Sequence, residues 1–336
     1  LIKKKLVKNI NEFETYLSHN VICATGAPAC IYENSVYPES QHGMTGVLLE
    51  AGVRLSNFSQ WQYGMASVDF RWNVSGSFMQ VIPSFVSVDE QGKEYDFLGE
   101  YFSSPEEMCS NIFLKGYQWP FSFGRINESS RVDIAVHNET KKGRRVYLDY
   151  TKNPNGYSFD KLSDEAREYL SKNDSVADTP IERLKKLNPK AIEVYARQNI
   201  DICTEKLRIA VCAQHNNGGV YTDNNCESDI ENLYVIGEAA GTFGLARPGG
   251  TALNNTQVGG LLVAEHIRNK ENSLKDEDFN LISNNKNTDI ITDNSVDYSY
   301  IKAKMSSCAS FLRSKEECEL LLSEIKEILA DYPNRH

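Results

Sequence analysis

The stretch Tyr234–Gly260, YVIGEAAGTFGLARPGGTALNNTQVGG, concentrates residues that could do chemistry. The β-branched pair Val235-Ile236 stops at Gly237-Glu238, a single cation (Arg247) follows among glycines, and Gly249-Gly250 leads into small side chains. Bare backbone at Gly249-Gly250 can bring amides against a flat ring that any Cβ would hold off. A helix opening at Thr251-Ala252-Leu253-Asn254 would aim unpaired N–H groups and the positive end of its dipole at the same place. Glu238, at the end of a strand, can accept hydrogen bonds from sugar-alcohol hydroxyls. Upstream, His215 has the chemistry of an acid or base near neutral pH, although Asn216 and Asn217 beside it also fit an ordinary polar turn.

A strand, a glycine turn and a helix bring backbone to a cofactor at the carboxyl end of a sheet. A flavin ring suits the place, because its N1/C2=O edge becomes anionic on reduction. The bland alternative is a glycine loop that merely packs a helix on a strand. Glycine density fits either reading; the order strand, Gly-Glu, Arg-x-Gly-Gly, small-residue helix is more specific.

The rest of the chain must position this stretch. A hairpin opens it (KLVKNI, then EFETYLSHNVICATG), and a buried strand runs into Ala24-Thr25-Gly26. GMTGVLLEAGV predicts a short helix ended by Gly52. Residues 55–88 are strand-like and aromatic. SPEEMCSNIFLKG predicts a helix capped by Ser104 with Pro105 at its first position. VDIAVHNE is too short for periodicity to separate helix from strand. GRRVYLDYT, KLRIAVCAQ and ENLYVIG predict strands. Thr179-Pro180-Ile181-Glu182 and Ser314-Lys315-Glu316-Glu317 are capping boxes, and Asn188-Pro189 opens a further helix. Residues 270–296, rich in Asn, Asp, Lys and Ser, predict a loop or weakly ordered linker.

At 336 residues the chain is long enough for two domains, or for one with a large insertion. A net charge of −10 without a compensating basic face argues against nucleic acid as a partner. Eight cysteines without a C-x-x-C pair argue against a metal site or redox dithiol. No stretch approaches the ~18 apolar residues of a membrane span. With no signal peptide, the expected location is cytoplasmic. Residue 1 is leucine inside a hairpin, so the chain is expected to belong to a longer polypeptide.

The segment GGVYTD…NLYVIGEAAGTFGLARPGGTALNNTQVGGLLVAEHI resembles the C-terminal flavin motif of the fumarate reductase/succinate dehydrogenase flavoprotein family, which includes L-aspartate oxidase and adenylylsulfate reductase. NVICATGAPACIY resembles that family's strand ending in Ala-Thr-Gly, QHGMTGVLLEAGV its Thr-Gly helix, and MSSCASFLRS the opening of its helical domain. The resemblance implies an α/β (α+β) fold: a partial FAD/NAD(P)-binding-type flavin domain (1–75 and 207–269), an inserted capping domain (76–206), and a linker leading into a helical segment (270–336). It implies FAD, hydride exchange with a small-molecule substrate, and room for an electron-transfer partner. The cofactor contacts it implies are Ala24, Thr25, Gly26, Gly237, Glu238, Gly249, Gly250, Thr251, Ala252, Leu253 and Asn254.

On the substrate side, Arg247 falls on the family's carboxylate-binding arginine. Gln214 falls on a family histidine four residues before Gly-Gly, with His215 one residue along; Gly218-Gly219 would then lie against the flavin. Gly64, in QYGMA, replaces the histidine of the family's Gln-Phe-His-Pro-Thr segment, and Met79-Gln80 face its Thr-Glu pair. Arg131 and Arg125 are candidates for the proton-donating arginine. With three polar groups changed, a less charged substrate than fumarate is expected, in keeping with the nearby aromatics Trp61, Tyr63, Phe70 and Trp72, which equally suit a core. The fingerprint G-x-G-x-x-G is absent from the chain, so this piece alone is expected not to retain FAD. The rival class is a non-redox flavin-fold binding module, or a lyase using FAD as scaffold.

Overall fold

The computed structural model describes residues 2–7, 10–15, 18–270 and 298–330; the linker expected over 270–296 lies almost wholly outside them. In chain order the strands are β1 (Ile2–Val7), β2 (Ile10–Thr15), β3 (Val21–Cys23), β4 (Leu55–Ser56), β5 (Trp61–Ser67), β6 (Trp72–Asn73), β7 (Ser84–Val88), β8 (Glu94–Tyr95), β9 (Arg145–Asp149), β10 (Leu207–Asn216), β11 (Gly219–Val220) and β12 (Leu233–Val235). The helices are α1 (Thr45–Glu50), α2 (Ser77–Gln80), α3 (Pro105–Leu114), α4 (Ser130–Lys141), α5 (Asp164–Lys172), α6 (Pro180–Leu187), α7 (Pro189–Ala196), α8 (Thr251–Asn269), α9 (Ser299–Cys308) and α10 (Lys315–Ala330).

Local signals place the helix starts. Ser104 Oγ accepts from the Glu107 amide, and Thr179 and Glu182 cap each other reciprocally. Ser314 Oγ accepts from the Glu317 amide at 3.1 Å. Each satisfies a donor that a helix start leaves open. The ambiguous VDIAVHNE is the body of α4, where Val132, Ala135 and Val136 line the core. Within the aromatic run of 55–88, α2 interrupts the strands.

The central feature is a six-stranded antiparallel sheet in the order β6-β5-β10-β9-β7-β8. It takes strands from both sides of the boundaries expected at 75/76 and 206/207, so the inserted layer and the flavin-side remainder share it. One face carries the main core, where Tyr63, Met65, Val211 and Ala213 pack with Phe113, Val136 and Leu184. Deep in this layer Lys115 and Asp133 form a fully buried ion pair at 2.8 Å, joining α3 to α4. Met79 and Gln80 are also buried here, with Gln80 accepting from the Tyr169 hydroxyl. They are therefore part of the layer's interior. Trp61 and Tyr63 pack on Tyr32, Tyr63 also on Phe311, and Phe70 on Trp72 and Tyr195. All eight cysteines are free thiols, five of them buried.

β3 and β12 form a separate parallel pair in register Val21↔Leu233 through Cys23↔Val235. No helix among the described residues is long and apolar enough to cross a membrane.

Candidate functional site: a glycine-lined helix start beside a fixed arginine

Parallel pairing brings the carboxyl ends of β3 and β12 to one place. Ala24-Thr25-Gly26 leaves one strand and Gly237-Glu238 the other, and the Ile236 amide donates to Cys23 O at 3.0 Å. Both glycines sit at positive φ, 73° at Gly26 and 64° at Gly237, where a side chain would be strained. Gly26 is buttressed by Gln41, whose Nε2 donates to Thr25 O at 2.6 Å. Gly237 and Gly259 let α8 lie close, against Thr256 and Ile236.

At the start of α8, Gly250 takes the left-handed conformation (φ 80°), and no side chain caps the helix. The Thr251 amide donates to Pro248 O at 3.4 Å, and the next amides of the first turn have no acceptor within the helix. A Cβ added at Gly249 or at Gly250 would meet nothing within 4 Å. Leu253, beside them, is 74% exposed. Open glycine backbone, an uncapped helix start and a carboxylate at a strand end fit the ring and polyol half of FAD. The residues that could hold it are Ala24, Thr25, Gly26, Gly237, Glu238, Gly249, Gly250 and Thr251 through Asn254.

Gly218-Gly219 behaves differently. A Cβ at Gly218 would come within 2.1 Å of Asn57 O, and one at Gly219 within 2.3 Å of Ala239 O. Their bareness serves close backbone packing on the side to which a Cβ would project.

Glu238 Oε1 accepts from the Asn216 amide at 2.8 Å and from the Tyr37 hydroxyl, and lies 3.0 Å from His215 Nδ1. The Tyr37 hydroxyl is pushed well above its ordinary range by burial and by the adjacent carboxylate, so it acts as a donor. His215 lies edge-on to Phe243, and its Nε2 is buried with no partner among the described residues.

A bulge at Gln214 explains why His215 is here. Ala213 pairs with Tyr63 and His215 with Gln62, leaving Gln214 as the extra residue. Ala213 and Tyr63 belong to the core face. Strand side chains alternate faces, so His215 without the extra residue would share the face of Ala213; the bulge puts it opposite Gln62 on the other face. Gln214 Nε2 donates to Gly64 O at 2.8 Å, while its Oε1 is buried without a partner among the described residues.

Arg247 meets the same face. Its Nε donates to Gln62 Oε1 at 3.1 Å, and Gln62 Nε2 donates back to Arg247 O at 3.0 Å. No carboxylate among the described residues pairs with it. Asn217 holds the neighbouring loop through Leu245 O at 3.1 Å. The structure thus brings together Arg247, Gln214, His215, Glu238 and the glycine-rich helix start. Arg131 has other partners: Tyr101 O and Glu107 at 3.0 and 3.2 Å, Asn127 O, and the face of Phe102. Tyr37, on Glu238, joins this cluster without a sequence signal of its own, and Gln62 joins it from the QYGMA segment, where the sequence singles out only Gly64.

A family model described as FAD binding domain matches residues 4–253. An uncharacterized FAD-dependent oxidoreductase of Methanocaldococcus jannaschii is 32% identical over 108 residues, 32% of this chain and 20% of that protein. A fumarate reductase (CoM/CoB) subunit of Methanothermobacter marburgensis is 29% identical over 143 residues, 39% of this chain and 25% of that one. Among solved structures, a variant of E. coli quinol fumarate reductase FrdA gives a TM-score of 0.59 at 19% identity, over 93% of this chain and 51% of that one. Mycobacterium smegmatis Sdh1 gives 0.61 at 16%, over 96% and 50%. The likeness at such identities is one of fold. The chain spans about half the length of these solved structures and 20–25% of the curated relatives.

Proposed function

The chain belongs to the FAD binding domain family, and from that premise we propose that it is part of an FAD-dependent oxidoreductase acting on an organic acid. FAD, when bound, supplies hydride acceptance and return. The protein's part is to hold the acid still and keep it beside the ring. Arg247 binds and orients the carboxylate, with Gln62 fixing the plane of its guanidinium so that the two terminal nitrogens form a fork. His215, oriented by Glu238 through Nδ1, offers Nε2 for a proton or hydrogen bond. The uncapped start of α8 favours negative charge at its end. A separate electron carrier closes the cycle.

The observation that carries this reading is the reciprocal Arg247–Gln62 pair, a cation held on the sheet beside the open glycine start of α8. The test is anaerobic mixing of the FAD-loaded full-length protein with saturated and α,β-unsaturated carboxylic acids. Saturated acids of the right class should bleach the oxidised flavin, or unsaturated ones should restore its colour after chemical reduction. Acids that bind in an Arg247-dependent way without exchanging electrons in either direction would overturn the redox assignment.

A further inference from the structure

We propose that the indole N–H of Trp119 is a second substrate anchor, selecting an acid whose far end is a neutral carbonyl or carboxamide. The proposal rests on the acid-binding reading of Arg247 given above. Gly64 lies two residues after Gln62 on β5, so both present the same face of the sheet. A Cβ built on Gly64 would fall 2.2 Å from Trp119 Nε1, 2.7 Å from its Cε2 and 2.9 Å from its Cδ1. The pyrrole edge of the indole therefore fills the side-chain space that β5 leaves empty. Trp119 is delivered there by the segment after α3, which the Phe121 amide ties to Tyr63 O at 2.7 Å. Phe121 anchors the same segment by packing on Phe311, 4.6 Å between ring centres.

Trp119 Nε1 is buried and has no hydrogen-bond partner among the described residues. Gln214 Oε1 shares that state, although Gln214 Nε2 is fixed on Gly64 O at 2.8 Å. One donor and one acceptor, both buried and both unpaired, thus adjoin Gly64. Buried polar groups left without partners are costly and uncommon, and they call for an occupant. A carboxamide answers both, its oxygen accepting from the indole and its nitrogen donating to Gln214. A second carboxylate answers them badly. The indole N–H is a neutral donor that does not offset a desolvated charge, and Gln214 Oε1 would face the carboxylate acceptor to acceptor. The same pair of atoms thereby selects against a dicarboxylate.

The experiment titrates the FAD-loaded full-length protein with the monoamide of fumarate, fumarate itself and crotonate, read by flavin absorbance and tryptophan emission. The monoamide should bind about tenfold more tightly than either of the others. Trp119→Phe keeps an aromatic ring but lacks the N–H. It should bring the monoamide to the affinity of crotonate while leaving crotonate within about twofold. A monoamide bound equally well by Trp119→Phe and the parent, or fumarate bound more tightly than the monoamide by the parent, overturns the role of Trp119. Crotonate binding that Arg247→Lys leaves unchanged overturns the acid-binding reading instead. No binding by any of the three overturns both.

Discussion

Replacing Arg247 by lysine preserves a positive charge and removes what the structure builds around it. The arginine spends Nε on Gln62 Oε1 at 3.1 Å and receives Gln62 Nε2 on its own carbonyl at 3.0 Å. Its two terminal nitrogens remain for a carboxylate. Lysine has one ammonium, which cannot hold Gln62 and present a planar fork at the same time. A lost charge-assisted bond costs about 1.5–3 kcal/mol, and loss of fixed orientation adds to it. A total near 3 kcal/mol corresponds to about a hundredfold in kcat/KM. Gln62→Met isolates the positioning part. It keeps the guanidinium but frees its plane, and about tenfold is expected from the loss of both Gln62 hydrogen bonds, one of them to the guanidinium, and of some rotamer order.

The assay is steady-state turnover of the FAD-loaded full-length protein with its best acid, alongside the ratio of flavin to protein. Both variants should retain the parent's flavin content, because the Arg247 side chain is held by Gln62 on the sheet face and the backbone that would hold the ring is unchanged. Turnover of Arg247→Lys within about threefold of the parent would refute the fork argument. A loss of flavin proportional to the loss of rate would reassign Arg247 to cofactor binding.

Three further outcomes follow from the geometry. Gly249→Ala should leave the melting temperature of the apoprotein unchanged, since its Cβ meets nothing, yet weaken FAD binding; Gly218→Ala, with its Cβ 2.1 Å from Asn57 O, should lower the melting temperature instead. Lys115→Met strands a buried carboxylate and should cost about 3–5 kcal/mol in denaturant unfolding, most of it recovered when Asp133→Leu is added. Burial opposes ionisation of Glu139, but bonds from Lys142, Ser87 and Arg144 outweigh it and hold the carboxyl below its usual range. Its contribution is therefore fully present above the unfolded carboxylate pKa and is lost as pH falls through the lowered folded value. Glu139→Gln should be less stable than the parent near neutrality, with the gap closing in acid, as followed by melting curves across pH.

Sequence order exposes interactions that close locally. Ser104, Thr179 and Ser314 each reach an amide three residues on, so composition alone marks those helix starts. The ends of β3 and β12 are equally legible, because a β-branched run stopping at glycine is a local pattern. Gln62 and Arg247 are separated by 185 residues, and nothing near either one announces the other. The bulge at Gln214 is similarly silent, since LRIAVCAQHN alternates no differently with or without an extra residue. Yet that one residue decides whether His215 faces the core or the site. Gly64 marks a missing side chain, while Trp119, which fills the gap, lies 55 residues later in another element.

Glycine pairs set the firmest limit on such reading. Gly218-Gly219 and Gly249-Gly250 look alike in sequence, and each leaves two backbone positions without a Cβ. At Gly218 and Gly219 the space is taken by the carbonyls of Asn57 and Ala239, so the pair is a packing device that brings loop and strand backbones together. At Gly249 and Gly250 the space is open, next to an uncapped helix start and an exposed leucine. Close approach makes the same steric demand whether the approaching surface is a cofactor or the protein's own backbone. The distinction between a packed glycine pair and an open one therefore belongs to tertiary structure.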